Sequence, residues 1–402
     1  SLRIVRHVDL WSEEGIDFEI EVPSRADTVR YTRIPLFSIW PQLLDGIVSS
    51  FSLWRSHEKF AGAVSIPFRV RRIIFYASGF AEGARLRGYL RLISVTPRSH
   101  VADIQVSDGN GNLLIHLKGW EELCEHVPIG YHQYILRPSE KYLTDELPLS
   151  LLGNPTSPVA ASVVTRIPFD LFEKNQEIWL KALAYVLLSP SEREDWREMQ
   201  GATSRRVEWL FGRATAKEAV RRYLQKYLQA RWTAADIPIW ADDSGKPHAL
   251  GAWREHTAAN IDLSIAHTSK LIVAAVAANA RIGIDIEAIG RDLSEDFTKG
   301  VFTHEEMELA ARTGEAPVAT LRFWCAKEAI SKALGTGIRY SPKDLHITSI
   351  DPVSGVILIE LLGQWAEEFK QFKGRRTTVY TSLYEGHAFA SCMLPNSFFE
   401  GV

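Results

Sequence analysis

The strongest constraint on this chain is a change of texture about a third of the way along it. Residues 1–135 are a succession of segments that alternate apolar and polar residues at strand period: "GIDFEIEVPS", "SIPFRVRRIIFYAS", "ARLRGYLRLISVTP" and "HVADIQVSDGNGNLLIHLKGW". Asn and Gly in "DGNG" (108–111) tolerate the positive φ of a tight hairpin turn. One helix interrupts, over "PQLLDGIVSSFSLW" (41–54), with Pro41 at its opening, where the missing N–H costs nothing. Residues 137–162 carry four prolines among Ser and Thr and read as a linker.

Beyond the linker, helices and strands alternate. "LFEKNQEIWLKALAYVLL" (171–188) is amphipathic, and Ser189 followed by Pro190 can start a new helix. "RRVEWLFGRATAKEAVRRYLQKYLQ" (205–229) is a long helix with a basic face, and strands follow through residue 290. "TLRFWCAKEAISKALG" (320–335) is a helix that ends on Gly335, and the chain closes with strands. No repeat stands out, though roughly the last 240 residues suit two α+β halves. The expected class is α+β, with a strand-rich domain over 1–136, a linker over 137–164, and two lobes over 165–255 and 256–402.

Composition excludes more than it suggests. Lys plus Arg number 46 against 49 for Asp plus Glu, a net charge of −3, so no global field favours nucleic acid or an anionic membrane. No apolar run reaches the roughly 18 residues of a membrane span. Cys124, Cys325 and Cys392 are too far apart and too few for a disulfide framework, which fits the reducing cytoplasm. The chain opens on Ser1 rather than Met, the mark expected of a piece of a longer protein.

The chemistry concentrates in "RIGIDIEAIG" (281–290). On a strand, Asp285 and Glu287 project from one face while Ile284 and Ile286 face the other. Two adjacent carboxylates repel unless something positive lies between them, and a hard divalent cation fills that place well. From the pair alone, a solvated strand face is the simpler reading. The helix at 320–335 shifts the balance. Glu328 and Lys332 share a helical face one turn apart on a helix that Trp324, Cys325, Ala326, Ala329, Ile330 and Ala333 make largely apolar. Charges on a buried helix need partners.

Together these residues carry a resemblance. Gly283, Asp285 and Glu287, followed some forty residues later by Trp324, Lys327, Glu328 and Lys332, resemble the 4′-phosphopantetheinyl transferases of the larger, pseudodimeric class. Upstream, "SGKPH" matches that family's Gly-Lys-Pro as Gly245, Lys246 and Pro247, and "LSIAHT" its Ser-His stretch, with Ala266 where Ser is usual and His267 kept. "GRATAKEAV" (212–220) resembles the helix of the family's first half. The resemblance covers roughly residues 165–395 and implies a two-lobed fold and transfer of phosphopantetheine from coenzyme A to a serine of an apo acyl carrier protein. It implies Mg²⁺ held by Asp285, Glu287 and Glu328, with Glu328 taking the serine proton. It implies phosphate neutralisation by Lys332 and Lys327, and a grip on the coenzyme's 3′-phosphate by Lys246 and His267, with Pro247 among the coenzyme-binding residues and Arg213 and Lys217 adding to the basic pocket.

The first 136 residues resemble the hot-dog fold, a sheet wrapped around one helix. "IWPQLLDGIVSSF" is similar to a segment in the second hot-dog of polyketide synthase dehydratases, with Asp45 kept but Trp40 and Ser49 where that family has His and Gln or His. His57 and Gly62 mimic another dehydratase motif at the wrong spacing. Dehydration needs an acid and a base across the substrate, and Asp45 is a single candidate. The order of the two regions resembles the C-terminal part of enediyne-type polyketide synthases, whose carrier domain would then be the acceptor. The competing reading is a thioester-binding or dehydratase hot-dog with a docking-only appendage.

Overall fold

Alternation at strand period builds the first of two units, which span Ser1–Gln133 and Tyr134–Val402. The computed structural model describes residues 4–24, 41–55, 63–77, 79–153, 155, 157–164, 178–257, 259–268 and 271–399. In the first unit, β1 (Val5–Ser12), β2 (Gly15–Glu21), β3 (Ala63–Phe75), β4 (Arg85–Val95), β5 (Ser99–Ser107) and β6 (Leu113–His126) form one antiparallel sheet in the order β1-β2-β4-β5-β6-β3. Helix α1 (Pro41–Arg55) buries Leu43, Ile47, Phe51 and Trp54 against Phe18, Leu90, Ile104 and Leu117 of that sheet. This is the hot-dog arrangement. Gly88 lies under Phe18, where any Cβ would sit 2.2 Å from the ring. The hairpin at 108–111 forms, with Gly111 at φ 84° and the Asp108 carboxylate accepting from the Asn110 and Asn112 amides. Strand β1 has no clear sequence signal because it is a sheet edge whose residues are mostly exposed.

The second unit contains two similar halves. After α2 (Ile129–Leu136), the first half comprises β7 (Asp145–Glu146), β8 (Val159–Val164), α3 (Ile178–Leu187), α4 (Pro190–Glu198), α5 (Thr203–Leu228), the hairpin β9 (Ile239–Ala241) and β10 (Pro247–Ala249), then β11 (Ile261–His267) and β12 (Ile272–Ala278). Its main sheet runs β11-β12-β8-β7, with α5 packed on β8 and β12. The second half repeats the plan with β13 (Ala280–Ala288), α6 (Glu295–Val301), α7 (His304–Ala311), α8 (Ala316–Leu334), β14 (Leu345–Ile350), β15 (Val356–Leu361), β16 (Arg376–Tyr384) and β17 (His387–Pro395). Its sheet runs β13-β17-β16-β15-β14, with α8 packed on β13 and β17. Among the described residues no helix is long and apolar enough to cross a membrane.

One sequence expectation meets a different structure. The stretch read as a linker contributes β7 and β8 to the sheet, and Leu147, Leu152, Val159, Ala161 and Val163 to the core. Its prolines punctuate short elements rather than loosen the chain. The boundary expected at residue 256 precedes β11 and β12, which pair with β8, whereas β13 pairs with β17 in the other sheet. Of the helix expected over 171–188, residues 171–177 lie outside the described residues and Ile178–Leu187 are helical.

Both halves are pinned by the same device. Glu192 and Glu306 each close a capping box at the start of a short helix, with Ser189 and Thr303 as the N-caps. Each carboxylate accepts from a fully buried lysine of the long helix: Lys217 at 2.5 Å and Lys327 at 2.9 Å. Two carbonyls complete each ammonium, Leu187 and Ala234 in the first half, Val301 and Pro342 in the second. All three donors of each lysine are satisfied.

The former linker is tied down by Glu218, the neighbour of Lys217. Its carboxylate accepts from the amides of Leu143 at 3.0 Å and Thr144 at 2.8 Å and from the Thr144 hydroxyl at 2.7 Å. Arg221 donates to the Lys141 carbonyl and Arg222 to that of Thr144, while both guanidinium groups lie over the Tyr142 ring. Glu218→Ala orphans this strap's buried donors and should cost about 2–4 kcal/mol. Urea denaturation measures that loss, and hydrogen exchange should accelerate at the Leu143 and Thr144 amides; unchanged exchange would show that the strap is held by something else.

Candidate active site

The site begins with a missing side chain. A Cβ on Gly283 would lie 1.9 Å from the Ala329 carbonyl oxygen and 2.4 Å from the Ala333 nitrogen, so only glycine lets α8 rest directly on β13. Asp285 and Glu287, two and four residues on, share the Gly283 face of the strand and meet the α8 face that carries Glu328 and Lys332.

The Lys332 ammonium donates to Asp285 Oδ1 at 2.8 Å and to the Ile284 carbonyl at 3.2 Å. Arg291 donates to a carboxylate oxygen of Glu287. Asp285 is 7% exposed, and its Oδ2 is buried without a hydrogen-bond partner. Burial raises the Asp285 carboxyl above the usual range despite Lys332. Burial likewise pushes Glu328 up to about 6, with Asp285 and Glu287 adding repulsion that Lys332 partly offsets. For Lys332, burial works against the charge, but the Asp285 carboxylate outweighs it and its pKa is raised. Among the described residues no three His, Cys, Asp or Glu side chains stand in ready ligating geometry, since the protein's own cations hold Asp285 and Glu287. The orphaned Oδ2 and the raised Glu328 nevertheless mark a carboxylate cluster short of positive charge. Hard oxygen donors of this kind fit Mg²⁺.

Two hollows adjoin, sharing Gly245, Pro247 and Ile265. The smaller, about 180 Å³, is lined by Ser244, Lys246, Ser264, Lys332 and Gly335. The larger, about 430 Å³, is lined by Arg205, Trp209, Arg213, His267 and Ile272. The expected Lys246, Pro247, His267, Arg213 and Lys332 are thus brought together. The Arg213 guanidinium lies over the Trp209 ring at 4.7 Å, its Nε is buried without a partner, and burial lowers its pKa.

Two expected phosphate ligands are not there. Lys217 and Lys327 are fully buried, each closed in by a carboxylate and two carbonyls, and neither lines either hollow. Burial lowers both, Lys217 to about 8. Sequence reasoning placed Lys217 on the basic face of its helix and Lys327 on a largely apolar one, but Lys217 and its neighbour Arg221 turn inward into ion pairs, as Lys327 does. It also passed over Arg205 and Trp209, which stand at i−8 and i−4 from Arg213 on the same helical face and so carried a readable signal. Asp45 is exposed on α1, with Ser49 donating to its backbone carbonyl and no described residue bonding its carboxylate. Trp40, His57 and Gly62 lie outside the described residues.

With this geometry in view, comparison with known proteins is informative. Residues 281–390 match the family model of the 4′-phosphopantetheinyl transferase superfamily. Residues 3–121 match that of the polyketide synthase dehydratase N-terminal domain, where the sequence motifs suggest the second hot-dog. A holo-[acyl-carrier-protein] synthase of Cereibacter sphaeroides is 32% identical over 123 residues, 28% of this chain and 88% of that protein. One from Dinoroseobacter shibae is 34% identical over 119 residues, 27% of this chain and 84% of that protein. Among solved structures, the CurJ dehydratase of the curacin polyketide synthase is 23% identical over 31% of this chain and 42% of its own, at a TM-score of 0.25. A Bacillus anthracis holo-(acyl-carrier-protein) synthase solved with coenzyme A (3′,5′-ADP) is 25% identical over 30% of this chain and 95% of its own, at a TM-score of 0.24.

Two outcomes follow from the burial pattern. Lys217→Ala leaves Glu192 buried without its cation and should destabilise by about 3–5 kcal/mol in urea denaturation; a surface coenzyme ligand would lose almost nothing. Glu328 moves from an ordinary 4.5 up to about 6, so the folded chain holds that proton more tightly than the unfolded one. Its contribution favours folding at low pH and is lost as pH rises from about 4.5 through 6. In metal-free buffer near neutral pH, Glu328→Gln should therefore be more stable than wild type by at most about 2 kcal/mol. That gap should close below about pH 4.5, as denaturation curves at the two pH values will show.

Proposed function

The chain belongs to the 4′-phosphopantetheinyl transferase superfamily, and we propose that it moves 4′-phosphopantetheine from coenzyme A to a serine of an apo acyl carrier protein domain of its own polyketide synthase, releasing 3′,5′-ADP. The observation that carries this reading is Lys332, which bonds Asp285 and lines the smaller of two adjoining hollows whose walls also carry Lys246, Arg213 and His267. Such a place suits a substrate with a pyrophosphate at one point and a further phosphate at another.

Phosphoryl transfer asks a protein mainly for positioning and charge neutralisation. Lys246, Arg213 and His267 hold the 3′-phosphate, and Pro247 shapes the turn between the hollows. Lys332 neutralises pyrophosphate oxygens. Asp285, Glu287 and Glu328 would hold Mg²⁺, which would supply further neutralisation of the pyrophosphate. The serine Oγ bonds to the phosphorus that carries pantetheine, the bond from that phosphorus to the bridging oxygen breaks, and 3′,5′-ADP departs with the electron pair. Glu328 takes the serine proton; a carboxyl titrating near 6 is ionised at neutral pH yet basic enough to share that proton.

The match of residues 3–121 to a dehydratase domain supports the polyketide synthase setting. Three buried, free cysteines accord with a cytoplasmic location. We assign the transferase to the unit from Tyr134 onward, its first lobe ending near residue 278. A dehydratase reading of the first unit rests on Asp45, which is exposed and without an acid or base bonded to it among the described residues.

The test is intact-protein mass spectrometry of apo carrier domains incubated with this chain, coenzyme A and Mg²⁺. The expected result is a gain of one phosphopantetheine on the carrier and a loss of about 10²–10⁴ in rate for Glu328→Gln. No gain on the synthase's own carrier domain would overturn the proposal.

A further inference from the structure

The edge of β13 that faces away from β17 belongs to the second half of the fold, yet the first half fills it. Alternate amides of an edge strand point away from its only partner and must find acceptors elsewhere. On β13 two of these are Ile282 and Ile284, and both are taken by side chains of β11. Asp262 Oδ2 accepts from the Ile282 amide at 2.7 Å, and Ser264 Oγ from the Ile284 amide at 3.0 Å. The same Asp262 carboxylate accepts from the Lys246 ammonium at 2.9 Å. The Ile284 peptide is thereby held on both sides, its N–H by Ser264 and its carbonyl by Lys332. Lys246, Ser264 and Lys332 all line the smaller hollow.

We propose that Asp262 is a positioning residue that ties the lysine reading the 3′-phosphate of coenzyme A to the strand carrying Asp285 and Glu287. This rests on the transferase reading above. Asp262 performs two separable tasks. Its charge and geometry aim Lys246 into the hollow, and its oxygen fixes the β13 backbone three residues before Asp285. Ser264 performs only the second task, one residue before Asp285. Lys246 is a long, flexible cation that loses much of its rotamer freedom when held. A carboxylate at 2.9 Å supplies that restraint before the substrate arrives.

The two tasks separate in kinetics with coenzyme A and with 3′-dephospho-coenzyme A, on the full chain with its carrier domain. Asparagine at 262 keeps an acceptor for the Ile282 amide but loses the charge. Asp262→Asn should lower the ratio of kcat/KM for the two substrates by about tenfold, the size of one charge-assisted hydrogen bond. Asp262→Ala should show the same loss of discrimination and in addition a fall in kcat with both substrates, a fall that Asn largely recovers. Ser264→Ala should lower kcat with both substrates and leave the ratio as in wild type. A ratio unchanged or raised in Asp262→Asn overturns the proposal, since Asp262 would then be structural or would merely screen Lys246. Wild-type protein inactive with coenzyme A would refute the transferase reading itself. An active wild type with Lys246→Ala unchanged in discrimination would refute the coupling alone.

Discussion

The site depends on one contact, that of the α8 backbone with Gly283. Because no Cβ intervenes, the helix sits close enough for a lysine and a glutamate on it to reach the strand's carboxylates. Any larger residue would drive a Cβ into the Ala329 carbonyl, and backbone atoms in a packed helix have little room to yield. The charges on the two elements could not meet at a greater separation. The buried Lys327–Glu306 pair then holds α8 in register from its other side. That lysine looks like a phosphate ligand in the sequence and is a peg in the fold.

The first half of the same unit shows what happens when this pattern is kept in outline and released from chemistry. Both long helices contain Ala-Lys-Glu-Ala, at 216–219 and 326–329. The lysines play the same part in each half. Aligning the halves on them sets Glu218 against Glu328 and Arg222 against Lys332. Arg222 donates to Ser162 on β8 at 3.0 Å as Lys332 donates to Asp285 on β13, which sets Ser162 against Asp285 and Val164 against Glu287. Two of three carboxylates are gone. The third, Glu218, is buried, which raises its pKa, and is compensated by two amides, a hydroxyl and Arg221. Where the second half gathers unmet negative charge, the first satisfies its one remaining carboxylate with a segment of chain.

Sequence patterns revealed the elements because most obey local rules: period-two alternation in β2 to β6, Pro41 opening α1, Ser189 and Pro190 opening α4, Gly335 closing α8. The acidic pair and the Glu328–Lys332 step were equally legible, since spacing alone places them on single faces. What escaped was set by tertiary contact. Whether Lys217 faces water or Glu192 depends on a helix 25 residues away in sequence. Whether residues 145–164 are linker or strand depends on β12, more than a hundred residues on. Asp262 and Ser264 alternate on β11 as Asp285 and Glu287 do on β13, but nothing local says that they serve a neighbouring strand's amides.

The arrangement of Asp285 bears on how one carboxylate serves two cations. Lys332 and a divalent ion would compete if they needed the same oxygen, and charge repulsion would then drive one away. The structure gives Lys332 only Oδ1, while Oδ2 remains buried and unbonded. Lys332 is further anchored to the Ile284 carbonyl, so its ammonium keeps a place that does not depend on Asp285 alone. A cation held by Asp285 through its other oxygen would leave the contact between Lys332 and Oδ1 in place. Under the proposed function the two positive charges would share the neutralisation of one pyrophosphate, with Lys332 held by the Ile284 carbonyl as well as by Asp285.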